Sequence, residues 1–185
     1  LIGTQLVAKG HDFPNVTLAA VVGVDHILTM PDFRSAERTY ALVTQLAGRA
    51  GRGQKAGTVL VQTRHPEHNI FRLLGNTDLP DPAHIFYLQE TRQRKILKYP
   101  PSSRLVLLRI DGEDREKVRN QAAQLAKTLR MRRPSSVDIL GPVLAPMSML
   151  IGRWRFQIIL RGNQPSRFRG WITENRDLLR SSLKG

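Results

Sequence analysis

Apolar positions along the chain change period from one stretch to the next. Residues 16–24 (VTLAAVVGV) are almost continuously apolar, the mark of a strand buried on both faces of a parallel sheet. Residues 1–4 (LIGT) read as the end of a second such strand, and residues 5–14 as a loop with a short helical turn, punctuated by Pro14 and Asn15. From Pro31-Asp32 the spacing turns helical: Ala36, Tyr40, Val43 and Ala47 share one stripe, Asp32 is the expected N-cap, and the helix is expected to end at Leu46 or Ala47. Residues 57–63 (GTVLVQT) predict a strand and residues 67–74 a short helix. Strands alternating with helices imply an α/β sheet. Ligands of such sheets sit at the carboxyl ends of the strands, here the loops after residues 1–4 and 16–24.

The pattern then breaks at residues 76–82, which hold Asn, Thr, Asp and two prolines. Residues 82–97 predict a connecting helix, and Tyr99-Pro100-Pro101 an extended link, because proline restricts the residue before it. Residues 104–110 (RLVLLRI) predict a strand, Asp111-Gly112 a turn, and residues 113–131 a helix with Val118, Ala122, Leu125 and Leu129 along one stripe. Residues 137–140 read as a short strand. Residues 141–152, with two prolines and two methionines, read as part of a hairpin. Residues 153–160 alternate cleanly: Trp154, Phe156, Ile158 and Leu160 face one way, and Arg153, Arg155, Gln157, Ile159 and Arg161 the other. Ser166 is the expected cap of a last helix that buries Phe168, Trp171, Ile172 and Leu179. The β-α-β-β-α order predicts a small α+β sandwich, one antiparallel sheet covered by two helices; a ferredoxin-like version would add a strand after the last helix. The expected domains are therefore residues 1–78, a connection at 79–101, and residues 102–185.

Composition sharpens this picture in three ways. No apolar run reaches the length of about 18 residues that a membrane span needs, and no signal peptide is visible. The 185 residues include no cysteine, which removes disulfides and thiolate metal sites and suits a cytoplasmic protein. The sequence opens at Leu1, mid-pattern, as a piece of a longer protein would. Charge is lopsided: residues 1–78 carry 8 Lys/Arg against 6 Asp/Glu, and residues 79–185 carry 21 against 9. A basic second half points first to nucleic acid, then to an acidic protein partner or membrane surface.

Two clusters carry candidate chemistry. One is Gly3-Thr4-Gln5 with Lys9-Gly10-His11-Asp12-Phe13-Pro14. The Thr4 hydroxyl at a strand end suits a nucleic-acid phosphate; Gly10 and Asp12 suit a nucleotide's phosphate and ribose. His11 reads as local packing. The second cluster is Gln45-Leu46-Ala47-Gly48-Arg49-Ala50-Gly51-Arg52, directly after the helical stripe. Two guanidinium forks at a helix end match the outer phosphates of a nucleotide. The plainer alternative is that Gly48 and Gly51 end the helix and both arginines are solvated.

GTQLVAKGHDFPNV followed by PDFRSAERTYALVTQLAGRAGRG resembles motifs V and VI of superfamily 2 helicases, and among them the replication-restart helicases. The similarity continues through Pro66-Glu67-His68, Tyr99-Pro100-Pro101 and Gly152-Arg153-Trp154-Arg155. The resemblance implies the end of a second RecA-like lobe followed by a ribosomal-protein-like α+β domain. It implies that Thr4 lies on the nucleic-acid side of the cleft and that Gly10 and Asp12 face the nucleotide. Gln45, Arg49 and Arg52 would then line the phosphates of ATP held with magnesium, Arg52 as the finger. No Gly-x-x-x-x-Gly-Lys-Ser/Thr loop and no Asp-Glu box are present, so the piece would contribute half a cleft and should not hydrolyse ATP alone. Zinc would belong to a Cys-rich insertion of the parent protein, not to this piece.

For partners, the resemblance implies branched or forked DNA, other primosome proteins, and the acidic tail of single-stranded-DNA-binding protein, with Arg167 and Trp171 at the matching positions. The residues themselves suggest Arg153, Arg155, Gln157 and Arg161 as a basic platform on one sheet face. A second basic cluster, Arg130, Arg132 and Arg133, is also what a helix C-terminus favours on its own. Two rival functions remain on sequence grounds: a non-enzymatic basic RNA- or ribosome-binding protein, and a docking module for an acidic protein tail.

Overall fold

The computed structural model describes residue 3, residues 16–50 and residues 56–181. Two compact units meet between Thr91 and Arg92.

The first unit holds β1 (Leu18–Val21), α1 (Asp25–Leu28), α2 (Ser35–Ala47), β2 (Thr58–Val61) and α3 (Asn69–Gly75). β1 and β2 pair in parallel, from Leu18 opposite Thr58 to Val21 opposite Val61. Parallel neighbours need a crossover, and α2 packs on both strands. β1 is shorter than the apolar run predicts. It is also less buried: Leu18 is 57% and Leu60 55% exposed, while Val21 and Val24 are buried. Only these two strands pair among the described residues of this unit, so much of their apolar surface stays open.

α2 also starts later than expected. Asp32 is not its N-cap; the Asp32 carboxylate accepts from Arg34 N at 2.9 Å and pairs with Arg38 at 2.9 Å. The buried face is Ser35, Thr39 and Val43, of which only Val43 belongs to the predicted stripe. Both hydroxyls satisfy themselves on backbone: Ser35 Oγ donates to Met30 O at 2.6 Å and Thr39 Oγ1 to Ser35 O at 2.9 Å. A buried polar group with a partner costs little. Tyr40 leaves the stripe and stacks on Phe86 at 4.2 Å. Phe86 belongs to α4 (Pro82–Ile96), the predicted connecting helix, within which the two units divide.

The second unit continues with β3 (Arg104–Gly112), α5 (Arg115–Arg132), β4 (Val137–Leu150), β5 (Arg153–Gly162), α6 (Pro165–Glu174) and α7 (Arg176–Ser181). The sheet is antiparallel with β5 central, in the order β3-β5-β4. Asp114 caps α5, accepting from Glu116 N at 2.9 Å and Lys117 N at 3.0 Å. The predicted stripe of α5 is buried, joined by Ala126, and meets Leu108, Ile110, Phe156, Ile158 and Leu160. Phe168, Trp171 and Leu179 from α6 and α7 complete the same core. Both helical layers thus cover one face of the sheet.

Three boundaries differ from expectation. Asp111 and Gly112 are not a turn but the end of β3, opposite Arg155 and Trp154. β4 runs through residues 141–150, and its turn is Ile151-Gly152, both at positive φ (50° and 72°). The cap of α6 is Gln164; Pro165 takes the first helical position and Ser166 lies inside the first turn. The Pro100–Pro101 and Gly141–Pro142 peptides are cis. No helix among the described residues is long and apolar enough to cross a membrane.

Candidate functional site

Gln45 lies in the last turn of α2, and Arg49 lies just beyond its end, in the turn that follows Gly48. Both are half-buried. The turn is closed by Gly48 N donating to Thr44 O at 3.0 Å and Arg49 N to Leu46 O at 3.0 Å. Gly48 has φ −67°, an ordinary helical value, and a Cβ there would meet nothing closer than Thr44 O at 3.6 Å. Neither backbone geometry nor packing among the described residues calls for glycine at this position. An amide and a guanidinium each offer donors that fit a nucleotide phosphate chemically. Thr4, Gly10, Asp12 and Arg52 lie outside the described residues.

A crossover helix between parallel strands runs against them. The Gln45/Arg49 end of α2 therefore lies beside the amino ends of β1 and β2, about 20 Å of helix away from their carboxyl ends. The carboxyl ends hold a different cluster, which sequence reasoning missed. Asp25 Oδ1 accepts from Thr63 Oγ1 at 2.6 Å, and Asp25 Oδ2 accepts from Arg64 N at 2.9 Å. Thr63 Oγ1 in turn accepts from His65 N at 3.0 Å. These bonds hold the Asp25 carboxyl below its ordinary pKa: the Thr63 hydroxyl contributes most, the Arg64 N–H next, and the His65 and Arg64 charges add to it. His26, Thr29 and Gln62 line the adjoining open cleft of about 420 Å³. The carboxylate latches the two strand ends together. Its partners lie 38 and 39 residues away, so no local motif announces it.

In the second unit, the polar face of β5 is less free than its sequence suggests. Arg153 Nε bonds Asp111 Oδ2 at 2.6 Å and Arg153 Nη2 donates to Asp111 O at 3.1 Å. That bond and the Asp111 charge raise the Arg153 pKa further. Arg161 holds Asp138 Oδ2 at 2.8 Å and also donates to Leu97 O at 3.0 Å. Arg155 and Gln157 remain, with Arg109 opposite Gln157; Arg155 is in no ion pair among the described residues. Between these groups the face is apolar: Leu107 and Leu140 flank Ile159 across the sheet, and Leu107, Leu140 and Val143 are exposed. The three-arginine platform is in fact one arginine beside two ion pairs, because Asp111 and Asp138 stand on neighbouring strands.

Trp171 is 5% exposed and forms part of the core. Its indole N–H donates to Arg132 O at 2.9 Å, tying α6 to the end of α5. Arg167 is exposed in the first turn of α6. The two residues do not form one surface: only Arg167 is available to a partner.

Residues 95–183 match the family described as Primosomal protein N C-terminal domain. The chain is 40% identical to the replication restart protein PriA of Bacillus subtilis over 89% of its length. It is 37% identical to that of Synechocystis over 87%, and 38% identical to that of Haemophilus influenzae over 90%. It spans only about a fifth of these curated relatives, 20%, 19% and 22% of their lengths. With this domain match and these identities along most of its length, the chain belongs to the PriA family, whose C-terminal portion it matches.

Proposed function

We propose that this chain serves replication restart as the C-terminal part of a superfamily 2 DNA helicase. In the whole protein its first unit completes the ATP site as the end of a RecA-like lobe. Its second unit, a ribosomal-protein-like sandwich, engages branched DNA and other primosome proteins. The observation that carries this reading is the parallel β1-α2-β2 crossover ending in Gln45 and Arg49, within a chain whose relatives are named for replication restart. Gln45, Arg49 and Arg52 meet the outer phosphates of ATP, with magnesium supplied from the other lobe, and Gly10 and Asp12 lie against the nucleotide. Thr4 contacts the DNA strand. On the second unit, cations unpaired among the described residues engage DNA; of the sheet-face residues Arg155 and Gln157 are free to contribute, while Arg153 and Arg161 are held by Asp111 and Asp138. The acidic tail of single-stranded-DNA-binding protein docks through Arg167 and the exposed side of α6 (Ser166, Arg169, Gly170 and Thr173), with Trp171 acting from the core by fixing that helix.

The test is ATP turnover in the full-length protein. Arg52→Ala is expected to lower it by about 10³–10⁵, the scale of a lost arginine finger, with the fold intact by circular dichroism. Turnover within about threefold of wild type would remove the finger assignment.

A further inference from the structure

We infer that the phosphate-binding surface of the second unit is one end of its sandwich, built by Lys98, Arg104, Arg132, Arg133 and Arg167, rather than its open sheet face. The inference rests on the DNA-binding reading above and names where that binding occurs.

Three stretches distant in sequence, residues 98–104, 132–137 and 162–167, converge at this end. Gly162, the last residue of β5, pairs with Arg104 on one side and Val137 on the other. Arg132 and Arg133 lie just before Val137, at the end of α5. Arg167 lies just beyond Gly162, in the first turn of α6, and the Trp171–Arg132 hydrogen bond at 2.9 Å draws α6 to α5. Lys98 is brought in by two contacts: Arg161 Nη1 donates to Leu97 O at 3.0 Å, and Ser103 Oγ to Lys98 O at 2.6 Å. All five cations are exposed, and none is in an ion pair among the described residues. The carboxylate at this end, Asp138, is held by Arg161. The acidic residues Asp111, Glu113, Asp114 and Glu116 gather at the opposite end, around the β3–α5 turn.

Segregation of this kind is the unusual feature. Cations scattered over a surface need no explanation. Cations gathered without carboxylates repel one another, and a bound polyanion removes that repulsion. Three strand ends span about 10 Å, the length of roughly three nucleotides of one strand at about 3.4 Å each. Side chains of this length and charge suit phosphates rather than base edges. The surface accordingly positions DNA without reading its sequence.

The experiment uses the 185-residue chain and labelled forked and linear duplexes, with affinity measured between about 50 and 200 mM salt. The variant Lys98→Gln/Arg104→Gln/Arg132→Gln is compared with Lys117→Gln/Arg119→Gln/Arg176→Gln, which removes the same charge away from this end. The first is expected to lower the log–log salt slope by about 2–3 and the second by less than about 0.5, both with wild-type thermal melts. Equal losses in the two variants would overturn the placement while leaving DNA binding intact. No binding by the wild-type chain at about 50 mM salt would instead remove the DNA reading. Competition by poly-aspartate as effective as DNA at equal charge would reassign the surface to an acidic protein.

Discussion

Gly162→Ala tests how α6 is seated on the sheet. Gly162 ends the central strand, and the Phe168 ring lies directly over it. A Cβ at this position would stand 2.4 Å from Phe168 Cγ, 2.5 Å from Cδ2 and 2.7 Å from Cβ. Carbon pairs prefer about 3.5–4.0 Å, so the ring must retreat by about 1 Å. It has nowhere to go: Phe168 is 4% exposed and stacks beside the buried Trp171 at 6.5 Å. Overpacking of this kind costs about 1–3 kcal/mol, and three contacts at once place the expected loss near 2 kcal/mol. For a unit of this size each kcal/mol lowers the melting temperature by about 4–8 °C, so a fall of about 8–16 °C is expected. Both tryptophans, Trp154 and Trp171, belong to this unit, so denaturant unfolding followed by tryptophan fluorescence reports it alone. Gly162→Ala/Phe168→Leu should lose about 1 kcal/mol less than the sum of the two single changes, because the smaller side chain relieves the clash. A loss below about 0.5 kcal/mol for Gly162→Ala, with an unchanged denaturant slope, would refute this packing.

Two other perturbations separate fold from function in the first unit. Gly48→Ala meets ordinary φ and open space, so it should hold or raise stability by up to about 1 kcal/mol in thermal melts; a loss above about 1 kcal/mol would contradict the helix end described. If the same change lowers ATP turnover in the full-length protein, the glycine is there for a ligand's approach. The Asp25 latch predicts an acid-side transition: its folded pKa is depressed, so its contribution is present above the ordinary value of 3.8 and fades as pH falls through the lowered one. Nuclear magnetic resonance of the Arg64 amide should show that step, and Asp25→Asn should abolish it; an amide shift unchanged down to about pH 2 would sink the latch.

The parts of the fold that sequence reveals are those set by short-range rules. The α5 stripe and the alternation along β5 each follow from a period that burial then obeys. β4 was hidden because Pro142 and Pro146 look like breakers. β4 is an edge strand, and register shifts fall between Leu140 and Val143 and between Leu144 and Met149. There a missing N–H costs no ladder bond. The α2 face was hidden for the opposite reason: Ser35 and Thr39 are polar by composition but internally satisfied. At the candidate site, the Gln45 and Arg49 spacing is legible because it is local. The Asp25–Thr63 bond, the Arg153–Asp111 pair and the Trp171–Arg132 bond are not, because each partner lies 38 to 42 residues away.

Charge shows most clearly why position must be added to composition. The sequence places the excess of cations in the second half, and alternation puts Arg153, Arg155 and Arg161 on one sheet face. Strand pairing then sets Asp111 and Asp138 beside two of them. An arginine held by a carboxylate must surrender that bond before it takes a phosphate, so its net gain on binding is small. Lys98, Arg104, Arg132 and Arg167 at the sandwich end carry no such cost, and Arg133 gives one donor to Val137 O at 2.6 Å, although none of them stands out in a strand pattern. The surface that binds a polyanion best is therefore set by where the carboxylates are absent, which depends on how Gly162, Val137 and Arg104 line up across three strands.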